Sequence, residues 1–323
     1  MKEFDIVIIG AGPSGIYTAT YAALKGLNVL VLENSDTLGG QPIHLYAHKN
    51  VYDFPGHLKT NGKEIIDILL KQQKSVNKHV TYMLKTSITE WKRLKNDFFS
   101  IKLTNKEKIR AKAIIIATGN GTLIPNEVDH SFLTKNFDKS KLSYYVDQFS
   151  EYKNKNIVFL GGGDSAVEWA GQVASYSEVK SVTIIHRKPN YRAHAKYVNL
   201  LNKYKVNQYL NYEIKEINKN FLLIKSNEDE TINKIKYDKI IVQYGLRQQK
   251  DPYNLWTKLE IKGSKFITDR NQQTSEKNIY SIGLSTYYPG RPNLLVVGIA
   301  EGVIAVKHIF DKINPYSLDY IVK

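Results

Sequence analysis

Short apolar runs alternate with amphipathic stretches along most of this chain. The runs Ile6-Val7-Ile8-Ile9, Val29-Leu30-Val31-Leu32, Ile157-Val158-Phe159-Leu160 and Val182-Thr183-Ile184-Ile185 are rich in β-branched residues and bounded by glycine or polar residues. That is the signature of strands buried on both faces. Ala113 to Gly119 and Ile240 to Gly245 read as two further strands of this kind. Between the first two runs a helical stretch extends from Ile16 to Lys25, with Gly26 placed to end it. A second helix is predicted from about Asp164 to Ala174, and a last one from about Val297 to Phe310, with Ile299, Val303 and Val306 as its packing positions. Strands alternating with helices predict a doubly wound α/β chain. No low-complexity segment or short-period repeat interrupts it.

The turns after two of these strands carry the chemistry. Gly10-Ala11-Gly12-Pro13-Ser14-Gly15 comes after Ile6 to Ile9, and Gly161-Gly162-Gly163-Asp164-Ser165-Ala166 after Ile157 to Leu160. A glycine turn between strand and helix lets backbone N–H groups and a helix N-terminus approach a pyrophosphate, whose charge they stabilise. One such turn is weak, because glycines also serve close packing. Two in matching context imply two bound dinucleotides.

The two turns lead to strands with opposite charges at their ends. The strand after the first ends on Glu33, about 20 residues beyond Gly10, where a carboxylate accepts hydrogen bonds from ribose hydroxyls. The strand after the second ends on His186, Arg187 and Lys188, with Arg192 nearby. Guanidinium groups there pair with a 2′-phosphate that a carboxylate would repel. The first site therefore reads as FAD and the second as NADPH.

Composition narrows the chemistry further. The 323 residues suggest about two domains, each able to bury a core. With no cysteine, the chain has no disulfide, thiolate metal site or thiol nucleophile. Forty-six Lys and Arg against 31 Asp and Glu give a net charge of +15, a field that attracts anions. The lysines are dispersed and form no compact basic arm, so an acidic redox protein is the expected partner and nucleic acid is not. Met1-Lys2-Glu3-Phe4-Asp5 is mixed in charge and no apolar run reaches about 18 residues, so neither a secretory signal nor a membrane span is expected. A cytoplasmic setting is the corresponding expectation. His44 and His48 have metal-like spacing but no third ligand nearby, so no metal site is expected.

Taken in order, the motifs resemble those of the ferredoxin-NADP reductases of the thioredoxin-reductase-like type, within the class II pyridine nucleotide-disulfide oxidoreductases. The resemblance covers residues 1 to about 310. It is carried by the two glycine turns, Leu38-Gly39-Gly40-Gln41, Val51-Tyr52-Asp53, Ala117-Thr118-Gly119-Asn120-Gly121, His186-Arg187-Lys188, Arg192-Ala193-His194 and Val242-Gln243-Tyr244-Gly245. It implies two Rossmann-like nucleotide-binding domains, one inserted into the other. The FAD-binding domain is expected over residues 1–120 and 246–323, and the NADP-binding domain over 121–245. It further implies a homodimer, and a ferredoxin or flavodoxin as electron acceptor. No residue acts as acid, base or nucleophile.

By the same resemblance, Gln41 and Tyr46 lie beside the isoalloxazine. Gly40, Asp53, Ser87, Thr118, Gly119, Leu123, Gly283 and Asn293 complete the FAD site, and the N-terminus of the last helix faces the flavin. Three departures stand out. Relatives often carry asparagine at Gln243, and an aspartate follows the glycine where this chain has Leu284. The family also places an aromatic or histidine from a C-terminal extension over the flavin, a role open here to Tyr316 or Tyr320. Thioredoxin reductases carry Cys-x-x-Cys near Ser143 to Asp147, which is absent. Reduction of a small disulfide or quinone, as in bacillithiol disulfide reductases, is the alternative activity, although those carry cysteine where this chain has Ser14. A degenerate, non-catalytic flavin binder is the other alternative.

Overall fold

The computed structural model describes residues 1–121, 123–248 and 253–314. The chain divides into two compact units, one formed by Met1–Thr122 and Gln248–Lys323, the other by Leu123–Arg247.

The first unit opens with strand β1 (Lys2–Ile9), helix α1 (Pro13–Leu24) and strand β2 (Val29–Leu32). Gly26, at φ 77°, ends α1 and donates its N–H to Ala23 O at 2.9 Å. A short helix α2 (Gln41–His44) and a longer α3 (Gly62–Lys74) come next. Asn61 caps α3 by accepting the Glu64 N–H. Strands β3 (Val80–Met83), β4 (Ile88–Arg93), β5 (Phe99–Leu103) and β6 (Lys108–Ile116) complete this segment. The sheet runs β3-β2-β1-β6-β5-β4. Its central strands are parallel, as the near-continuous apolar runs require.

Alternation along β1 divides the core. Ile6 and Ile8 pack with Ile16, Ala19 and Ile65 on the helical face, whereas Val7 faces Phe99, Ile101, Trp256 and Phe266. Each such fully buried aliphatic side chain contributes about 1.5–3 kcal/mol.

The second unit repeats this plan. Strand β7 (Leu142–Ser143) precedes β8 (Asn156–Leu160), helix α4 (Asp164–Ala174), β9 (Ser181–His186), helix α5 (Ala195–Lys203) and β10 (Asn207–Leu210). Three antiparallel strands come next, β11 (Tyr212–Ile217), β12 (Phe221–Ser226) and β13 (Ile232–Lys236), and then β14 (Lys239–Val242). The parallel sheet has the order β7-β14-β8-β9-β10. Ile157 and Phe159 pack against Val167 and Ala170 of α4, while Val158 and Leu160 meet Ile217, Leu222 and Ile224 of the antiparallel layer. Where the chain enters and leaves this unit, Asn126 N–H donates to Gly245 O at 3.0 Å.

The first unit is completed by strand β15 (Ile279–Ser281), parallel to the C-terminal half of β6, and by helix α6 (Leu295–Ile313). The packing positions of α6 differ from those expected. Val306 is buried, but Ile299 and Val303 are only half-buried; Gly298, Glu301, Gly302, Ala305 and Ile309 form the inner face. Gly298 and Gly302 permit a close approach, since a Cβ on either would overlap Ser14 or Thr18 of α1. No helix among the described residues is long and apolar enough to cross a membrane.

Candidate functional site

Both glycine turns arise from the same local geometry. Ile9 pairs with Leu32 and Ile116, and Leu160 pairs with Ile185 and Val242, so each turn starts at the end of a central strand flanked on both sides. Gly10 donates its N–H to Leu32 O at 2.8 Å, and Gly161 to Ile185 O at 3.1 Å. Their φ values are 106° and 145°, disfavoured for L side chains. A Cβ on Gly10 would lie 2.5 Å from Ala117 O, and one on Gly161 would overlap Gln243 O. Glycine is required at both for steric reasons alone.

Above each turn there is room. No atom lies within 4 Å of a Cβ built on Gly12 or Gly163, the two N-cap residues, and no side chain caps α1 or α4. An uncapped helix start beside an open glycine cradle fits a pyrophosphate in each unit.

In the first unit the turn collects most of the predicted residues. Gly39 N–H donates to Ala11 O at 2.8 Å, and a Cβ on Gly40 would lie 3.0 Å from Gly12 Cα. This brings Gln41 beside the strand end at Thr118 and Gly119, where a Cβ on Gly119 would lie 3.8 Å from Gln41 Nε2. Pro13 and Gly15 are buried in the first turn of α1. Glu33 is half-buried, its Oε2 accepting the Ala11 N–H at 2.8 Å and its Oε1 the Ser35 N–H at 2.9 Å. Each oxygen keeps a further lone pair for a hydroxyl donor. Ser87 joins this end of the sheet by donating its Oγ proton to Asn34 Oδ1 at 3.0 Å.

Burial, and then the charge of Asp53, raise the Tyr46 phenol to about 12, so it stays a neutral donor and Asp53 stands near it. Gly283 meets the first turn of α1, where a Cβ would lie 3.1 Å from Ser14 Oγ. Asn293 is exposed just before α6, accepting from Lys265 Nζ at 3.3 Å and Arg291 Nη1 at 3.1 Å. Leu123 is in a short strand, Leu123–Pro125, of the other unit. His44 Nε2 lies 3.3 Å from Ser35 Oγ and 3.4 Å from Thr37 Oγ1. Tyr316 and Tyr320 lie outside the described residues.

The second turn is built differently around its helix start. Asp164 Oδ1 accepts the His194 N–H at 2.8 Å, and Arg192 N–H donates to Gly162 O at 2.7 Å, so the loop after β9 is tied to the turn. Ser165 Oγ donates to Gln243 Oε1 at 2.6 Å, while Gln243 Nε2 donates to Tyr144 O at 2.9 Å. Gln243 thus commits the Ser165 proton. Ala166 is fully buried beneath the turn.

At the end of β9, Arg187, Lys188 and Arg192 are exposed, and no ion pair holds any of them among the described residues. His186 is 9% exposed, its ring stacked with Tyr191 at 6.0 Å between centroids, and its Nε2 has no hydrogen-bond partner. Burial first, then Arg192, Arg187 and Lys188, hold its pKa below the ordinary 6.5. The ring is therefore neutral at pH 7, and the cationic character of this strand end comes from Arg187, Lys188 and Arg192.

One functional-looking group escaped the sequence reading. Glu301, inside α6, is buried against Arg291, Tyr288 and Gly283. The available signal was a carboxylate between Ala300 and Gly302 in the otherwise apolar first half of α6.

Comparison with known proteins agrees with this geometry. Residues 4–302 match the pyridine nucleotide-disulphide oxidoreductase family. The chain is 41% identical to a ferredoxin–NADP reductase of Mycoplasmoides gallisepticum, covering 100% of both chains. It is 35% identical to the protein of that name from Malacoplasma penetrans, covering 96% of this chain and 97% of the other. Among solved structures, T. acidophilum thioredoxin reductase superposes with a TM-score of 0.71 at 22% identity, over 97% of this chain and 99% of that one. A bacillithiol disulfide reductase from Staphylococcus aureus gives 0.66 at 19% identity, with 97% and 99% covered. These structural likenesses establish the thioredoxin-reductase-like fold.

Proposed function

Because this chain belongs to the pyridine nucleotide-disulphide oxidoreductase family and is an NADPH-dependent flavoprotein oxidoreductase, we propose that it passes electrons from NADPH through FAD to a ferredoxin or flavodoxin, without a redox disulfide. The observation that carries this reading is the pair of open glycine turns with opposite charges at the strand ends beyond them. The absence of cysteine from the sequence supports the same reading.

FAD, when bound, accepts a hydride and releases electrons singly, which is what an iron–sulfur acceptor needs. The protein's part is to bind, orient and shield. In the first unit, Gly10, Gly12 and the start of α1 carry the pyrophosphate and Glu33 the ribose, with Ser87 near the adenosine end. Gln41 and neutral Tyr46 would lie beside the ring system. In the second unit, Gly161, Gly163 and the start of α4 carry the second pyrophosphate. Arg187, Lys188 and Arg192 pair with the 2′-phosphate, and Asp164 holds their loop through His194. The domains accordingly divide as an FAD-binding and an NADP-binding part. The protein acts in the cytoplasm as a homodimer, and its +15 charge favours an acidic partner.

Stopped-flow mixing of FAD-loaded protein with NADPH tests the first half of the reading: the flavin absorbance bleaches. Turnover with a ferredoxin or flavodoxin, falling as ionic strength rises, tests the second. Faster turnover with a small disulfide or quinone than with either protein would assign it the other activity.

A further inference from the structure

The ion pair between Arg291 and Glu301 is withdrawn from water at both ends, with side chains 3% and 2% exposed. Desolvating two charges offsets much of their attraction, and apolar residues of similar size stabilise a fold as well or better. Such a pair needs an explanation in what it positions.

The contacts supply one. Glu301 Oε1 accepts from Arg291 Nε at 2.7 Å and Tyr288 OH at 2.9 Å; Oε2 accepts from Arg291 Nη2 at 3.1 Å and from the Gly283 N–H at 2.7 Å. Four donors fill the carboxylate. Arg291 Nη1 also donates to Pro292 O at 3.2 Å and Asn293 Oδ1 at 3.1 Å, fixing the residues that lead into α6, whose start no side chain caps. Gly283 and the first turn of α6 both abut Ser14: a Cβ on Gly283 would lie 3.1 Å from Ser14 Oγ, and one on Gly298 would overlap it. The pair therefore sets how two backbone segments meet the glycine turn of the first unit. Leu284 brings no polar group to this place.

We propose that Glu301, held by Arg291, is a positioning residue for the flavin, fixing the Gly283 turn and the start of α6 against α1 so that the backbone N–H groups in the first turn of α6 are aimed before the cofactor enters. This builds on the reading that the first unit binds FAD. The carboxylate does not touch the flavin; it acts through the Gly283 N–H and through Arg291.

The test uses apoprotein of the full chain. The double variant Arg291→Met with Glu301→Met leaves no charge unpaired and is expected to fold. Flavin-fluorescence titration should show its FAD Kd weakened tenfold or more, with an altered flavin absorption envelope and midpoint potential. Its apoprotein should keep the wild-type circular dichroism. Tyr288→Phe, which removes one donor of four, should weaken FAD less than threefold. Arg291→Lys keeps the charge and loses the fork; it serves if the double variant does not fold, and it should weaken FAD several-fold. An FAD Kd within twofold of wild type and an unchanged spectrum, in a folded double variant or in Arg291→Lys, would overturn the proposal. Wild-type apoprotein that takes up no FAD would instead overturn the cofactor assignment beneath it.

Discussion

The two glycine turns close alike and open onto different strand ends. In both, a glycine at positive φ donates to the strand on one side and lies close to the carbonyl just past the end of the strand on the other, Ala117 O in one unit and Gln243 O in the other. Beyond the turn, the first unit presents Glu33 tied to Ala11 and Ser35, while the second presents Arg187, Lys188 and Arg192 to solvent around a neutral His186. Backbone sterics make the phosphate cradle in each, and the side chains at the strand end decide which nucleotide it suits. A further contrast lies at the helix starts: α1 has no acidic residue in its first turn, whereas Asp164 begins α4 and anchors the cationic loop.

The shared part is the most sensitive to change. Gly161→Ala combines a strained φ with overlap on Gln243 O, and should destabilise the second unit by about 3 kcal/mol or more. Thermal unfolding should drop, and NADPH binding should vanish while flavin retention persists. Equal loss of both cofactors would mean that the units are not independent at this level.

The strand ends come next. Replacing Arg187 and Arg192 by Ala should cost about 2 kcal/mol of NADPH recognition, or roughly 30-fold in kcat/KM, with NADH turnover nearly unchanged. An equal effect on both coenzymes would deny these residues a role in reading the 2′-phosphate. Glu33→Gln should weaken FAD by about 1 kcal/mol, roughly fivefold in Kd, because hydrogen bonds to a charged acceptor become bonds to a neutral one. Isothermal calorimetry on apoprotein measures it, and an effect on NADPH instead would reverse the assignment of the two units.

The smallest effect is electrostatic. Arg192→Gln removes one of the cations that lower His186, so the imidazole pKa should rise toward 6.5, read from an NMR titration of the ring carbon. The depressed value sets the sign of the pH dependence. Between the folded pKa and the ordinary imidazole value, the unfolded chain binds the proton and the folded chain does not. His186 therefore contributes its full stability above about pH 6.5 and loses it as the pH falls below. Stability that fell with rising pH in this range would contradict a buried neutral ring.

Much of the contrast between the two units was legible along the chain, because its elements are local. Four-residue apolar runs, the spacing of Gly10 to Gly15 and Gly161 to Ala166, and the identity of the strand-end residues each depend on neighbours in sequence. Even so, the apolar pattern of α6 pointed to Ile299 and Val303, while the inner face is built on Gly298 and Gly302, since hydropathy does not register a helix that packs by close backbone approach. His186 belonged to the cationic cluster by sequence and is neutral in the fold, since burial and neighbouring cations both disfavour its charge.

The sequence by itself determined two βα units, the need for glycine after each central strand, and the opposite charges at the strand ends beyond. Only the tertiary structure decided that Ala117 O and Gln243 O crowd the turns, and that Ala11 N–H holds the Glu33 carboxylate. It alone placed Ser14, Gly283 and Glu301 of α6 around one point. The physical reason is range: glycine sterics and hydrophobic period act within a few residues, whereas these contacts join segments that meet only when the sheet and its helices have closed.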